Sequence, residues 1–453
     1  MRAGRTGRGP IVALAAGALA LGLLGCSSAG HHPGADPAGA TGTAGGPGAP
    51  SPGQPRAGLT PAQLAAAYNL GPLRARGIDG AGQTIVIVDS FGSPTIGRDL
   101  AAFDTAFRLR APAFLHVLQP AGPVPAYRPT TLRTGWASET TLDVEWAHAM
   151  APAAGIVLVE TPTAENEGKT GFPDIVTAED YVIRHHLGQV VSQSFGATEQ
   201  TFASAAQLRS FREPYVLAAQ PQYAITMLAA SGDSGASGET YDMKSLYPRR
   251  VIEWPASDPL VTAVGGTALS LTPAGTRQRP DTVWPDSGGG RSAVFARPAY
   301  QAGVTGITRG RRGIPDISMD GSCTSSAAIY ASFAGSSSGH WQTICGTSMA
   351  TPLFAGIVAL ADQAAGHALG NINPALYQMA AARDPGIVDV LSGANTVRSA
   401  ASGVVVHGFR AAPGYDLASG VGTVNAADFV PELARLAGHA GGQAAGTATR
   451  GTR

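Results

Sequence analysis

An open, mostly parallel α/β sheet with helices on both faces is the fold class the sequence predicts, and three observations carry that prediction. Thr84-Ile85-Val86-Ile87-Val88 is a continuous β-branched run, and Gly155-Ile156-Val157-Leu158-Val159, Gln189-Val190-Val191-Ser192 and Ile225-Thr226-Met227-Leu228-Ala229-Ala230 read similarly, as strands buried on both faces of a parallel sheet should. Helix-like stretches punctuate the chain, from Leu142 to Met150 and again from Phe354 to Ala365, and such alternation builds a sheet covered on both sides. The 453 residues show no internal repeat, and large α/β units of this length often form one domain. In such sheets an active site gathers at the carboxyl ends of the strands.

Composition excludes several classes. The 31 basic and 31 acidic residues cancel, and only 14% of the chain is charged, so no basic face is available for nucleic acid. Residues 1–26 read as a signal peptide. Arg2, Arg5 and Arg8 precede an apolar run from Ile11 to Leu24 that is shorter than the roughly 20 residues a spanning helix needs. The run ends in Leu23-Leu24-Gly25-Cys26, which resembles a bacterial lipobox. Lipidated Cys26 would attach the exported protein to a membrane, firmly only if several acyl chains are added; an ordinary signal peptide with an incidental cysteine is the alternative. Residues 27–58 are Gly, Ala, Pro, Ser and Thr almost throughout and read as a disordered tether. Order is expected from 59 to 437, opening with Thr60 as a helix cap before Pro61. A second disordered stretch is expected over 438–453. An exported chain can oxidise Cys323 and Cys345; their disulfide would contribute about 3 kcal/mol, the alternative being two buried thiols.

Residues 345–360 read CGTSMATPLFAGIVAL. Ser348 stands at the start of an apolar helical run, where free N–H groups and the helix dipole favour developing negative charge. The GTSMATP segment resembles the nucleophile segment of subtilisin-clan serine peptidases. A serine needs a base to take its proton, and the HGTH motif that supplies histidine in subtilisins is absent. Asp89, in VIVDSFG, could serve as a subtilisin aspartate, and His148, in WAHAMAP, is the one histidine in a promising context. Glu139 and Asp143 are spaced i, i+4 on one predicted helix, so they share a face. Such neighbouring carboxyls resist ionising together and can accept and return a proton; a solvated acidic face is the plainer reading. Asp233, in AASGDSGA, follows an apolar strand at a sharp turn. A carboxyl there can donate to an oxyanion only when protonated; otherwise it makes an ordinary Asx-turn.

Together these segments resemble the sedolisin family, the serine-carboxyl peptidases, over most of residues 59–437. The resemblance implies a subtilisin-like single catalytic domain and a peptidase working at acidic pH. It makes Ser348 the nucleophile, Glu139 the general base and acid, Asp143 its partner and Asp233 the oxyanion stabiliser. It also implies that Ser194, Phe195 and Gly196 bind the substrate backbone by β-augmentation. A structural Ca²⁺ would be held by the carboxylates of Asp389 and Asp416 and the carbonyls of Val390, Ala412 and Gly414, a hard-oxygen set suited to calcium. Ala412 stands where the family usually has glycine. Only 58 residues precede the catalytic pattern, so the long prodomain typical of the family is not expected. A monomer acting on proteins or peptides is expected. Two other readings remain open: a neutral-pH Ser348–His148–Asp89 peptidase, or an inactive peptidase-like lipoprotein that binds peptides. Trp136, Phe195 and Trp341 are candidates either for the substrate pocket or for the core.

Overall fold

The computed structural model describes residues 55, 57–168, 170–334 and 340–446. The signal peptide, lipobox and nearly all of the tether lie outside them. Eight strands form the central sheet. Seven are parallel, in the order Ile317–Asp320, Thr262–Ala268, Thr226–Ala230, Val190–Gln193, Thr84–Ser90, Gly155–Thr161 and Leu115–Leu118. Thr282–Val283 adds antiparallel to Thr262–Ala268. The four expected strands are present, with ends shifted by one or two residues. Thr262–Ala268 is harder to read in advance because glycines 265 and 266 interrupt its apolar run.

Side chains alternate between two cores, as the period of a strand requires. Ile85, Ile87, Ile156 and Leu158 face one layer. That layer holds the helices Ile96–Phe107, Thr131–Met150, Thr347–Ala365 and Ala426–Gly446. Val86, Val88, Val157 and Val159 face the other, with Phe172–Arg184 and Glu213–Ala218. The domain starts where expected. Thr60 and Gln63 close a capping box around Pro61–Ala67, and Leu59 donates its N–H to Ser326.

Three boundaries differ from expectation. The helix read from Leu142 begins at Thr131, whose preceding Thr130 caps it. The helix read from Phe354 begins at Thr347. The last helix runs on through 438–446, although a structureless tail was expected from Gly438. Alanine and glutamine after Gly438 are good helix formers, and extending an existing helix is far easier than nucleating one. Residues 447–453 lie outside the described ones. Cys323 and Cys345 are bonded, with Cα atoms 4.9 Å apart. The bond ties the turn after the edge strand Ile317–Asp320 to the segment just before Ser348.

Candidate active site

The chain places Thr84–Ser90 between Gly155–Thr161 and Val190–Gln193. The order therefore reverses beside the carboxyl end of the Thr84–Ser90 strand, where Asp89 sits, and a ligand crevice forms at such a switch point. Two long helices cross beneath it. In Thr131–Met150 every residue from Gly135 to Met150 is buried. It packs along Thr347–Ala365 so closely that a Cβ on Gly356 would lie 2.4 Å from that of Met150. The solvated acidic face considered above is thereby ruled out, since Glu139 is 2% and Asp143 0% exposed.

Ser348 is the second residue of its helix, so its N–H is among those lacking an intrahelical acceptor. Gly346 precedes the helix with φ 130°, and a Cβ there would lie 2.6 Å from Asp233 Oδ2. Both facts require glycine. The Ser348 hydroxyl lies near enough to Glu139 to favour its ionised form. Burial pushes Glu139 well above the usual carboxyl range, and the charges of Asp89 and Asp233 add to this while Ser348 opposes it. Asp143 is raised likewise by burial, then by Asp89 and Glu139. Its Oδ1 accepts the Ser194 hydroxyl at 3.0 Å. Glu139 Oε1 and Asp143 Oδ2 are buried with no protein partner.

Asp233 lies across the serine from this pair. Its Oδ1 accepts the Thr347 N–H at 2.7 Å and the Thr347 hydroxyl at 2.8 Å. Burial raises it to about 6 against the pull of those two donors. Ser348, Asp233, Ser194, Phe195, Gly196 and Trp136 line one cleft. Ser194 also turns its hydroxyl inward, with the Ser348 carbonyl 3.3 Å away. Trp341 is elsewhere, packed against Phe103, Phe107 and Tyr330.

Asp89 joins the carboxyl group rather than an imidazole. It is fully buried, and burial raises it to about 7, opposed by the Thr140 hydroxyl and supported by Glu160. His148 sits nine residues beyond Glu139 on the same helix, about 13 Å further along the axis. Its Nε2 is 3.0 Å from Asp104 Oδ1 and 2.9 Å from the Arg110 carbonyl. A Ser348–His148–Asp89 arrangement is therefore not formed. The sequence reading missed the place of Asp89 in the carboxyl group and the role of Thr347 in holding Asp233. It also missed the glutamates Glu165, Glu167, Glu239 and Glu253 that line the cleft. The position of Glu165 and Glu167 just after the strand Gly155–Thr161 was the available signal.

At the other end of the domain, Asp389 Oδ2 accepts the Gly414 N–H at 2.7 Å, while Oδ1 is buried without a partner. Asp416 accepts the N–H groups of Ala412, Ala418 and Ser419, each at 2.8 Å. An orphaned carboxylate oxygen beside this turn fits a hard cation. Among the described residues no three His, Cys, Asp or Glu side chains converge as a metal site, so such a cation would depend on backbone carbonyls as well.

A mostly parallel sheet covered by helices on both faces, with a buried serine helix beneath its switch point, is the plan of a subtilisin-like fold. The model of the subtilase family matches residues 131–391, and the chain belongs to that family. Within it, the chain groups with the sedolisins. Kumamolisin of Bacillus sp. (strain MN-32) is 31% identical over 381 residues, covering 80% of this chain and 61% of its own. Sedolisin of Pseudomonas sp. (strain 101) is 30% identical, covering 58% and 43%. Human tripeptidyl-peptidase 1 is 31% identical, covering 63% and 50%. The solved Pseudomonas sedolisin, a serine-carboxyl proteinase complexed with two molecules of pseudo-iodotyrostatin, superposes with a TM-score of 0.68 at 26% identity, covering 82% of this chain and 97% of that one. The chain thus spans less than two thirds of the length of the curated relatives it matches.

Proposed function

We propose that this protein is an exported serine-carboxyl endopeptidase that hydrolyses peptide bonds of proteins at acidic pH. The observation that carries the reading is buried Glu139 beside the Ser348 hydroxyl, in a group with Asp143 and Asp89, while His148 pairs with Asp104 instead. Ser348 Oγ attacks the scissile carbonyl as its proton passes to Glu139. A proton held between Glu139 and Asp143 would satisfy the two orphaned oxygens and keep one carboxylate available as base. Protonated Asp233 and the Ser348 N–H donate to the developing oxyanion. Glu139 returns its proton to the leaving amine, and water then releases the acyl group by the reverse transfers. Acidic pH follows from Asp233, which donates only below about 6.

The residues 194–196 would pair with the substrate backbone, with Ser194 additionally orienting Asp143. Ca²⁺ at Asp389, Val390, Ala412, Gly414 and Asp416 would brace the loop that carries them. Export, with lipid attachment through Cys26 or release, accords with the first 26 residues; among the described residues no helix is long and apolar enough to cross a membrane. The test is digestion of a denatured protein by wild type and Ser348→Ala across pH, with the fragments sequenced. Ser348-dependent fragments with an acidic optimum are expected. Cleavage that persists in Ser348→Ala, or that peaks above neutral pH, would overturn the reading.

A further inference from the structure

Four glutamates, Glu165, Glu167, Glu239 and Glu253, line the cleft that holds Ser348 and Asp233. They come from three separate parts of the chain: the loop after the strand Gly155–Thr161, the turn that follows Asp233, and the short strand Glu253–Trp254. Glu253 is brought in by two glycines. A Cβ on Gly196 would lie 2.9 Å from its Oε2, and one on Gly232 would lie 2.7 Å from its Oε1. The carboxylate thus occupies the space between the segment carrying Ser194 and the turn carrying Asp233. Among the described residues it accepts no hydrogen bond, and no ion pair involves Glu165, Glu239 or Glu253. Trp136, 3% exposed, lines the same cleft, and its indole N–H has no acceptor.

We infer that this cleft selects a cationic side chain, arginine or lysine, on the substrate residue whose carbonyl Ser348 attacks. The inference deepens the peptidase reading and rests on it. The aliphatic stem of such a side chain would lie along Met243, Phe195 and the Trp136 ring, and its charged head would reach Glu165, Glu239 and Glu253, which form no ion pair among the described residues. The unpartnered Trp136 N–H would find an acceptor in a peptide carbonyl. The electrostatics agree. Glu239 is pushed up to about 7 by burial. Glu253 is raised by burial and then by the charges of Glu167, Asp233, Glu165 and Glu239. Burial also raises Glu165, with Glu167 and Glu239 adding to it. An entering cation relieves that mutual repulsion and favours the ionised forms, so preference for it must strengthen as pH rises towards neutrality.

Peptides that differ only in arginine, citrulline or leucine before the scissile bond test this. Citrulline keeps the shape of arginine and lacks its charge. In wild type, kcat/KM for arginine is expected to exceed that for citrulline about tenfold near the upper end of the active pH range, with the gap narrowing as pH falls. Glu253→Gln and, separately, Glu239→Gln should shrink the ratio. Calorimetry with Ser348→Ala measures the same arginine preference as binding, without cleavage. Equal or leucine-favouring cleavage by wild type would overturn the inference and leave the peptidase reading standing. Arginine-selective binding to Ser348→Ala, with no cleavage by wild type, would do the reverse.

Discussion

In the proposed mechanism Glu139 and Asp233 carry the same functional group beside Ser348 and perform opposite tasks, and their surroundings set them apart. Glu139 is crowded by other acids, whereas Asp233 is held at Oδ1 by two donors from Thr347. Removing the base in Glu139→Ala is expected to cut kcat/KM by about 10²–10⁴-fold or more, measured beside Ser348→Ala. Asp233→Asn keeps the shape and offers an N–H at every pH. The loss of activity near pH 6 should therefore move to higher pH, although the maximal rate falls. A pH–rate profile unchanged by Asp233→Asn would remove Asp233 from the oxyanion site. His148 belongs to a different category. Its ring is buried against Asp104, so His148→Ala should cost stability, roughly 3 kcal/mol as for a broken buried pair. The pH–rate profile of the folded protein should keep its shape.

The helix Thr131–Met150 shows why pattern reading stops short. It is buried all round from Gly135 to Met150, so it has no solvent face to reveal its orientation, and periodicity is the usual guide. Its polar residues are instead placed by partners distant in sequence: Glu145 accepts the Tyr330 N–H at 3.0 Å, and Trp146 donates to the Ala328 carbonyl at 3.0 Å. The Cys323–Cys345 bond steadies the segment entering the serine helix. Replacing both cysteines by serine should lower unfolding free energy by about 3 kcal/mol, read from denaturant midpoints under non-reducing conditions. If Ca²⁺ occupies the Asp389–Asp416 turn, strong chelator should lower the melting temperature and added Ca²⁺ should restore it. An identical melting curve in chelator would rule out the site.

Among the described residues, buried acids far outnumber buried bases. Asp89, Glu139, Asp143, Glu145, Glu179, Asp320 and Asp362 all carry pKa values raised by burial. Glu179 has no hydrogen-bond partner at either oxygen. Each such group holds its proton in the folded state at a pH where the unfolded chain has released it. The unfolded state therefore binds fewer protons, and stability falls as pH rises above the ordinary carboxyl range of about 4. The decline should continue through the value of about 7 reached by Asp89. Denaturant midpoints are expected to be higher at about pH 5 than at about pH 8. A stability maximum at alkaline pH would contradict the burial of these groups. The arrangement matches stability to the acidic range in which Asp233 can donate.

Much of the fold was legible in local chemistry. Continuous β-branched runs marked the buried strands, Thr60-Pro61 marked the start of the domain, and GTSMATP marked the serine helix. Those signals are short-range, because backbone preference and capping act over a few residues. The i, i+4 spacing of Glu139 and Asp143 was visible in the same way. Their burial was not, since it depends on a second helix more than 200 residues later in the chain. Asp89 carried its identity in the sequence but not its companions. The strand order places it at the reversal point of the sheet, beside Glu139 and Asp143, while His148 pairs with Asp104. The four cleft glutamates are unremarkable singly, and folding gathers them from three separate parts of the chain. Charge acts through space at distances the chain does not record, so the electrostatics of the site could be decided only by packing.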